Sequence, residues 1–292
     1  MFKNYIGTRN NIMEKTINAS NTIIGNHCYI GKNVRINVRG TFKLGDCSYI
    51  GDNCIIECEE FIAGEYLYMS SGVEVGRGGN KNPDSIVTIG DHVGIFENTI
   101  INVNSPVTIG NDVGIGTGVQ IWTHGAWLDV TQGFPADFGP VSIGNNVWLP
   151  ANSIMLPNTS IGDNTVIGIG SIITKNIPSG CLAAGSPCKV IRTDCYPKTL
   201  SSHDKKQIIE EIIYEWLYKI VPHKQIKSVT KLTYNDDVGA IELHQRSDIT
   251  FYYVDKRVID GYNNDVTEDL RDYLRRRGIK YYTGKPFKSI GI

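Results

Sequence analysis

SIGNNVWLPANSIMLPNTSIGDNTVIGIGSII, residues 142–173, sets Ile143, Leu149, Met155, Ile161, Ile167 and Ile173 six positions apart. Six is a multiple of two and not of 3.6, so side chains at this interval hold one face of a strand and drift around a helix. The element is therefore β. It is also short, because Gly144, Gly162 and Gly168 follow the aliphatic residues at once and Asn146, Asn152, Asn158 and Asn164 stand where a turn can take positive φ.

Working outward, the same spacing runs back through the chain in threes: Ile24, Ile30, Ile36; Leu44, Ile50, Ile56; Ile62, Tyr68, Val75; Ile89, Ile95, Ile101; and Ile109, Ile115, Ile121. Self-similarity of this kind is the mark of a solenoid. With residues 142–173 the chain has seven groups, which predicts seven coils of a triangular prism roughly 34 Å long at the spacing of paired strands. The sizeable insertions fall after Ile36, Val75, Ile101 and Ile121, always between groups, so every long loop is expected to leave from one corner. The fifth position of each hexad is small or β-branched and should pack inward, and Cys28 and Cys54 occupy it as packing residues.

Composition narrows the classes of function. The 292 residues carry 29 Lys and Arg against 30 Asp and Glu, a formal charge of -1, so no global positive field favours nucleic acid or an anionic membrane. The N-terminal stretch MFKNYIGTRNNIMEK holds neither a signal-peptide core nor a bilayer span, which predicts a cytoplasmic chain with no integral membrane segment. Seven cysteines without a CxxC pair read as free thiols, and no metal-ligand constellation or phosphate-cradling loop is present in the sequence.

Beyond Ile173 the period stops. Apolar residues at Ile208, Ile209, Ile212, Ile213, Trp216, Leu217 and Ile220 have helical spacing over 200–221, with Ser201 or Ser202 as cap and Pro222 as stop. That stripe is expected to pack on the prism. Alternation over 226–234, 239–243 and 249–254 predicts three strands, Thr267 can cap a helix through Arg277, Gly278 can close it, and 279–283 can return as a strand. The expected organisation is a lead-in over 1–23, the repeat domain over 24–192 and a helix with a small α+β module over 193–292. The basic run Arg271, Arg275, Arg276, Arg277 and Lys280 falls at a helix C-terminus, which favours structural use. Tyr252 and Tyr253 alternate along one strand, so one can be core and the other a sugar platform.

Over residues 140–192, PVSIGNNVWLPANSIMLPNTSIGDNTVIGIGSIITKNIPSGCLAAGSPCKVIR, the chain resembles the hexapeptide-repeat acyltransferases, which include galactoside and xenobiotic acetyltransferases and bacterial polysaccharide O-acetyltransferases. The resemblance implies a left-handed parallel β-helix, a homotrimer with active sites between neighbouring prisms, and acetyl-CoA as acyl donor. Residues from about 200 onward lie outside it.

Acetyl transfer to a sugar hydroxyl needs a base for a proton of high pKa, and a neutral imidazole serves. Of six histidines, His27 and His92 sit at outward turn positions, His203, His223 and His244 lie in the tail, and His124 stands where the largest insertion leaves the prism. The family carries its catalytic histidine on this loop, which makes His124 the candidate base. Asp129, Asp137, Glu97 or a backbone carbonyl could hold its tautomer. Glu97 and Asn98 fall near the family's acceptor-contacting asparagine and are candidate substrate residues, with Trp148 beside the thiol arm. By the same resemblance, Ala151, Ile169 and Thr174 would touch pantetheine, and Lys175, Lys189 and Arg192 would meet the phosphates and adenine. Pro150 stands where the family often has Gly and offers no N–H.

The expected function is acetyl-CoA-dependent O-acetylation of a bacterial surface polysaccharide sugar or its precursor, with a carbohydrate acceptor and no nucleic-acid partner. The alternatives are N-acetylation of a nucleotide-linked amino sugar and a catalytically silent trimeric scaffold.

Overall fold

The structure is a computed structural model that describes residues 5–12, 17–246 and 248–290. The chain divides into two compact units, Met1–Pro197 and Lys198–Ile292.

In the first unit each coil contributes three short strands, and each strand pairs in parallel with its counterpart one coil away. Tyr29–Ile30 pairs with Tyr49–Ile50, Gly94–Ile95 with Gly114–Ile115, and Gly114–Ile115 with Trp148–Leu149. The long strands Ile17–Ile24 and Arg35–Leu44 run through a corner, joining two faces into one sheet of 14 strands; the third face is a sheet of 10. The unit is a parallel β-helix, as the six-residue period requires.

Among the described residues the coils make nine levels rather than seven. Tyr5–Ile6 and Asn11–Ile12 pair with the strands of the Ile24 coil, so coiling begins inside the expected lead-in. At the other end Ile161 bridges Ile177 and Val166–Ile167 pairs with Leu182–Ala183, adding a turn past Ile173. The first level carries the signature at Ile6–Gly7, with Ile12 six residues on, whereas at the last level Ile177 is followed by Pro178 and the inward Ala183 by Ala184, so the signature is lost there.

The register of one coil also differs from expectation. Ala63, Met69 and Val75 are the inward residues, while Ile62 is half-buried and Tyr68 faces out. Leu44 pairs with Ala63 and Ile50 with Met69, so alternation along the strand puts Ile62 and Tyr68 on the outside. The apparent seven-residue step before Val75 disappears.

Interior positions stack as the hexads dictate: Ile95, Ile115 and Leu149 form one column and Ile101, Ile121 and Met155 another, all fully buried. The third hexad residue ties successive turns together. Asn26 N–H donates to Asp46 Oδ1 at 2.7 Å, Asp91 N–H to Asn111 Oδ1 at 2.8 Å and Asn111 N–H to Asn145 Oδ1 at 2.8 Å. These carboxylates and amides satisfy the backbone where strand pairing lapses at that corner of the prism. Cys28, Cys54 and Cys58 lie inside the coils as free thiols. Burial pushes Cys28 up to about 11 and Cys58 up to about 12, which keeps both as packing residues.

The second unit has its own core. Ile209, Ile213 and Trp216 pack with Leu232, Ile241, Leu243, Tyr252, Leu270 and Leu274. The helical stripe expected to cover the prism is therefore buried within its own module, because the sheet there supplies a matching apolar face. The helix Ser202–Glu215, capped by the Ser201 hydroxyl, continues through a π turn over Trp216–Ile220. The sheet has four antiparallel strands rather than three: Val229–Asn235, Ala240–Gln245, Asp248–Tyr253 and Val258–Gly261. Asn264 and Thr267 form a reciprocal capping box for the helix Asp265–Arg276. Residues 279–283 form no strand.

The basic run is structural. Arg271 is fully buried, pairs with Glu268 at 2.6 Å and donates to the carbonyls of Tyr281 and Pro286, while Arg275 and Arg276 pair with Asp272. Lys224 Nζ lies 2.5 Å from Asp269 Oδ1, a buried pair whose carboxylate also accepts from Trp216 Nε1 and Ile290 N–H. Burial pushes the Asp269 carboxyl up, but Lys224 and the other donors outweigh it and hold it below the usual carboxylate range.

Two measurements check this architecture. In urea unfolding, Met69→Ala should cost about 2–5 kcal/mol as a cavity, and Tyr68→Ala only about 1 kcal/mol for a lost aromatic neighbour; the reverse order would return Tyr68 to the inside. For the second unit, a depressed folded pKa means that the Asp269 contribution is complete above the unfolded carboxyl value, about pH 3.9, and is lost as pH falls through the lower folded value. Lys224→Met should remove about 3–5 kcal/mol near neutral pH by stranding that charge, and the deficit should shrink in an acid titration once Asp269 is protonated.

Candidate functional site

The long loops 76–85, 102–106 and 122–140 all connect the face of Glu74–Val75, Ile100–Ile101 and Gln120–Ile121 to the face of Ile86–Ile89, Val107–Ile109 and Val141–Ile143. They therefore stack at one corner, as the insertions in the sequence require. His124 lies there, at the start of a small hairpin in which His124–Gly125 pairs with Asp137–Phe138. Its ring stacks on Phe138 with centroids 5.8 Å apart.

The residue that orients His124 is Asn102, which is fully buried. His124 Nδ1 lies 2.8 Å from Asn102 Oδ1. Asn102 Nδ2 donates to the carbonyls of Arg77 and of Gly78, the latter at 2.5 Å. Both of those partners are acceptors only, which fixes the amide: nitrogen toward the loop, oxygen toward His124. Oδ1 also accepts from Thr123 Oγ1 at 2.9 Å and Thr123 N–H at 3.2 Å. An acceptor facing Nδ1 requires the proton on Nδ1 and leaves the Nε2 lone pair free, the tautomer a general base needs.

None of the partners expected from the sequence fills this place. Asp129 caps the turn Val130–Gln132, accepting from Thr131 N–H and Oγ1, and the Thr131 hydroxyl bond holds its carboxyl below the usual range. Asp137 stands opposite Gly125 in the hairpin and is exposed. Glu97 is on a different corner, where it accepts from Ser70 Oγ at 2.6 Å and Thr117 Oγ1 at 3.0 Å and so ties three coils together. Those bonds, Ser70 first, hold Glu97 below its ordinary pKa. Asn98 is a turn residue at φ 57°, one of the series that includes Asn146, Asn152, Asn158 and Asn164. Within one chain neither Glu97 nor Asn98 is brought to His124. Asn102 escapes the sequence reading because it stands in the second hexad position, after Ile101, where glycine is usual; a polar residue there, just before a loop, was its only signal.

The wall beside His124 is backbone. A Cβ on Gly79 would come within 3.1 Å of His124 Cε1 and 2.9 Å of Asn104 Cβ, and Gly78 and Gly79 both hold positive φ. Loop 76–85 is anchored from two coils below. Arg39 pairs with Glu59 at 2.6 Å and its guanidinium reaches Asn80 O at 2.6 Å and Ser85 Oγ at 3.0 Å. Glu57 accepts from Asn80 Nδ2 at 3.1 Å. On the opposite flank the hairpin loop exposes Trp127, Leu128, Val130, Phe134 and Phe138.

The other candidates lie elsewhere on the prism. Trp148 projects from the third face, the one opposite the His124 corner, with its indole laid over Gly114, where a Cβ would meet the ring at 2.6 Å. Ala151 and Ile169 sit at the turns that follow that face, Ile169 with 74% of its surface exposed. Thr174 and Lys175 follow Ile172–Ile173, and Lys189 and Arg192 lie on the exposed strand that folds back along Leu182–Ala184. Trp148, Ala151 and Ile169 therefore share one side and His124 occupies another. If Arg39 anchors loop 76–85, Arg39→Ala should speed tryptic cleavage after the exposed Lys81 by roughly tenfold through local opening, with the melting of the coils little changed; an unaltered cleavage rate would show the loop to be held without it.

The family model described as bacterial transferase hexapeptide (six repeats) matches residues 140–175. The chain is 36% identical over 136 residues to a galactoside O-acetyltransferase of Escherichia coli, covering 44% of this chain and 67% of that one. It is 35% identical over 170 residues to a galactoside O-acetyltransferase of Lactococcus lactis, covering 57% and 73%. A solved galactoside acetyltransferase in complex with coenzyme A is 30% identical, with 53% and 66% covered and a TM-score of 0.30. Relatives this similar across two thirds or more of their length, on coils built from the same hexads, leave one conclusion: the chain belongs to the hexapeptide-repeat acyltransferase family.

Proposed function

We propose that the protein transfers an acetyl group from acetyl-CoA to a carbohydrate hydroxyl, on a sugar of a bacterial surface polysaccharide or its precursor, with His124 as general base. The observation that carries this reading is the 2.8 Å contact between His124 Nδ1 and an asparagine oxygen whose orientation is fixed by its other partners. Two relatives that act on galactosides by name support the O-acetyl and sugar parts of the proposal.

In the mechanism His124 Nε2 takes the hydroxyl proton as the sugar oxygen attacks the thioester carbonyl. The tetrahedral intermediate collapses with loss of the CoA thiolate, which recovers the proton from the imidazolium. Asn102 accepts from Nδ1–H throughout and supports the transient positive charge. No covalent acyl-enzyme is needed.

The donor site is assigned to the Trp148 side. Trp148, Ala151, Ile169 and Thr174 would line the pantetheine arm, and Lys175, Lys189 and Arg192 would meet the phosphates. Since His124 stands on the corner opposite the Trp148 face, a single prism does not place base and donor together. A homotrimer would do so, each corner approaching the next copy's Trp148 face. The donor also fits a cytoplasmic setting, where acetyl-CoA is made.

His124→Ala should lower turnover by roughly 100-fold or more, with acetyl-CoA affinity unchanged by calorimetry. Asn102→Ala should lower it by about tenfold or more through loss of the tautomer and ring orientation. A fully active His124→Ala enzyme sinks the proposal. Sedimentation should show three 32.4 kDa chains together; a monomer at micromolar concentration would rule out the shared site.

A further inference from the structure

The two helices of the second unit contribute Ile209, Ile213, Trp216, Leu270 and Leu274 to one core with Leu232, Ile241, Leu243 and Tyr252, so they cover one face of its sheet. Alternation along the strands puts a different set on the other face. Thr233, Glu242, Phe251 and Asp260 stand in one row across all four strands, in register. In the next row Asn235, Ala240, Tyr253 and Val258 are aligned, with the small Ala240 buried between its larger neighbours. The face is open: Ile249 and Val258, on the same side, are 41% and 52% exposed. Tyr252, by contrast, is wholly buried with its hydroxyl donating to Thr267 O at 2.7 Å, which leaves Tyr253 as the outward member of the pair.

The face is aromatic and mixed in charge: Glu242 and Asp260 stand on either side of Phe251, and Lys256 Nζ lies over the Tyr253 ring, 5.2 Å from its centroid. The rings of Phe251 and Tyr253 are nearly parallel, with centroids 6.2 Å apart and planes at 20°. Glu242 accepts from Asn235 Nδ2 at 2.7 Å and lies 3.3 Å from His244 Nε2. The Asn235 bond first, then His244, keep the Glu242 carboxylate below its usual pKa despite partial burial. Neighbouring strands are about 4.8 Å apart, so Glu242 and Asp260 flank Phe251 at about the width of one pyranose ring. A ring that stacked its C–H face on Phe251 could donate hydroxyls to both carboxylates.

We propose that this open sheet face binds a glycan through a neutral or amino sugar, and so retains the polymer whose hydroxyl is acetylated at the His124 site. The proposal rests on a carbohydrate acceptor, not on the chemistry assigned to His124. At Phe251 the flanking groups Glu242 and Asp260 are acceptors when ionised, which suits a hydroxyl or ammonium donor at that ring.

The test uses the full-length protein on an array of capsular and O-antigen oligosaccharides, neutral and anionic. The wild type should retain at least one neutral or amino-sugar glycan. Phe251→Ala with Tyr253→Ala, and separately Glu242→Gln, should weaken that retention at least tenfold, while transfer of acetyl to nitrophenyl galactoside stays within twofold of wild type. Glu242→Gln preserves side-chain shape and decides the matter if the double variant lowers the melting temperature. Retention of no glycan by the wild type, retention of anionic glycans only, or equal retention by Glu242→Gln would overturn the proposal. Loss of galactoside transfer in His124→Ala with glycan retention intact separates this surface from the catalytic reading.

Discussion

Each inward aliphatic side chain in the coils is buried only because the coil above and the coil below place one at the same point. A hexad alone cannot hide Ile115 from water; between Ile95 and Leu149 it is fully buried. The backbone bonds that join successive coils and the Asn and Asp side chains at the corners follow from that stacking, since both require turns to superimpose. Burial of one such side chain is worth about 1.5–3 kcal/mol, and the stack repeats it at every level.

The same constraint decides where chemistry can sit. Strands that must superimpose tolerate no insertion, so extra residues leave at corners, and here the longest leave at the same one. Loops one coil apart are then neighbours in space although about 20 to 40 residues separate them. Asn102 uses this proximity: from the middle loop it reaches Gly78 on one side and His124 on the other. Arg39 uses it from farther down, holding loop 76–85 through Asn80 and Ser85. His124 is thus positioned by coil stacking and not by its own hairpin alone.

The second unit follows different rules. Its sheet is antiparallel, its core mixes Trp216 and Tyr252 with aliphatic side chains, and it buries the Lys224–Asp269 pair with Trp216 Nε1 and a backbone N–H satisfying the carboxylate. A buried charge pair of this kind adds little net stability compared with an apolar replacement, but breaking it is costly, so it fixes how the irregular segment at Ser289 and Ile290 closes on the helix.

The sequence by itself determined the period, and with it the β class, the stacking of coils and the common corner for the loops, on which it places His124. These are local or periodic properties, legible because each hexad repeats the same physical demand. Tertiary structure decided the rest. It moved the inward register from Ile62 and Tyr68 to Ala63 and Met69, because pairing with Leu44 and Ile50 outweighs the larger side chains. It turned the 202–223 helix into its own module, because an amphipathic stripe does not name the surface that will cover it. It replaced Asp129, Asp137 and Glu97 by Asn102 as the partner of His124, because a contact between residues 22 apart depends on which side chains meet where coils stack, and spacing along the chain carries no record of that.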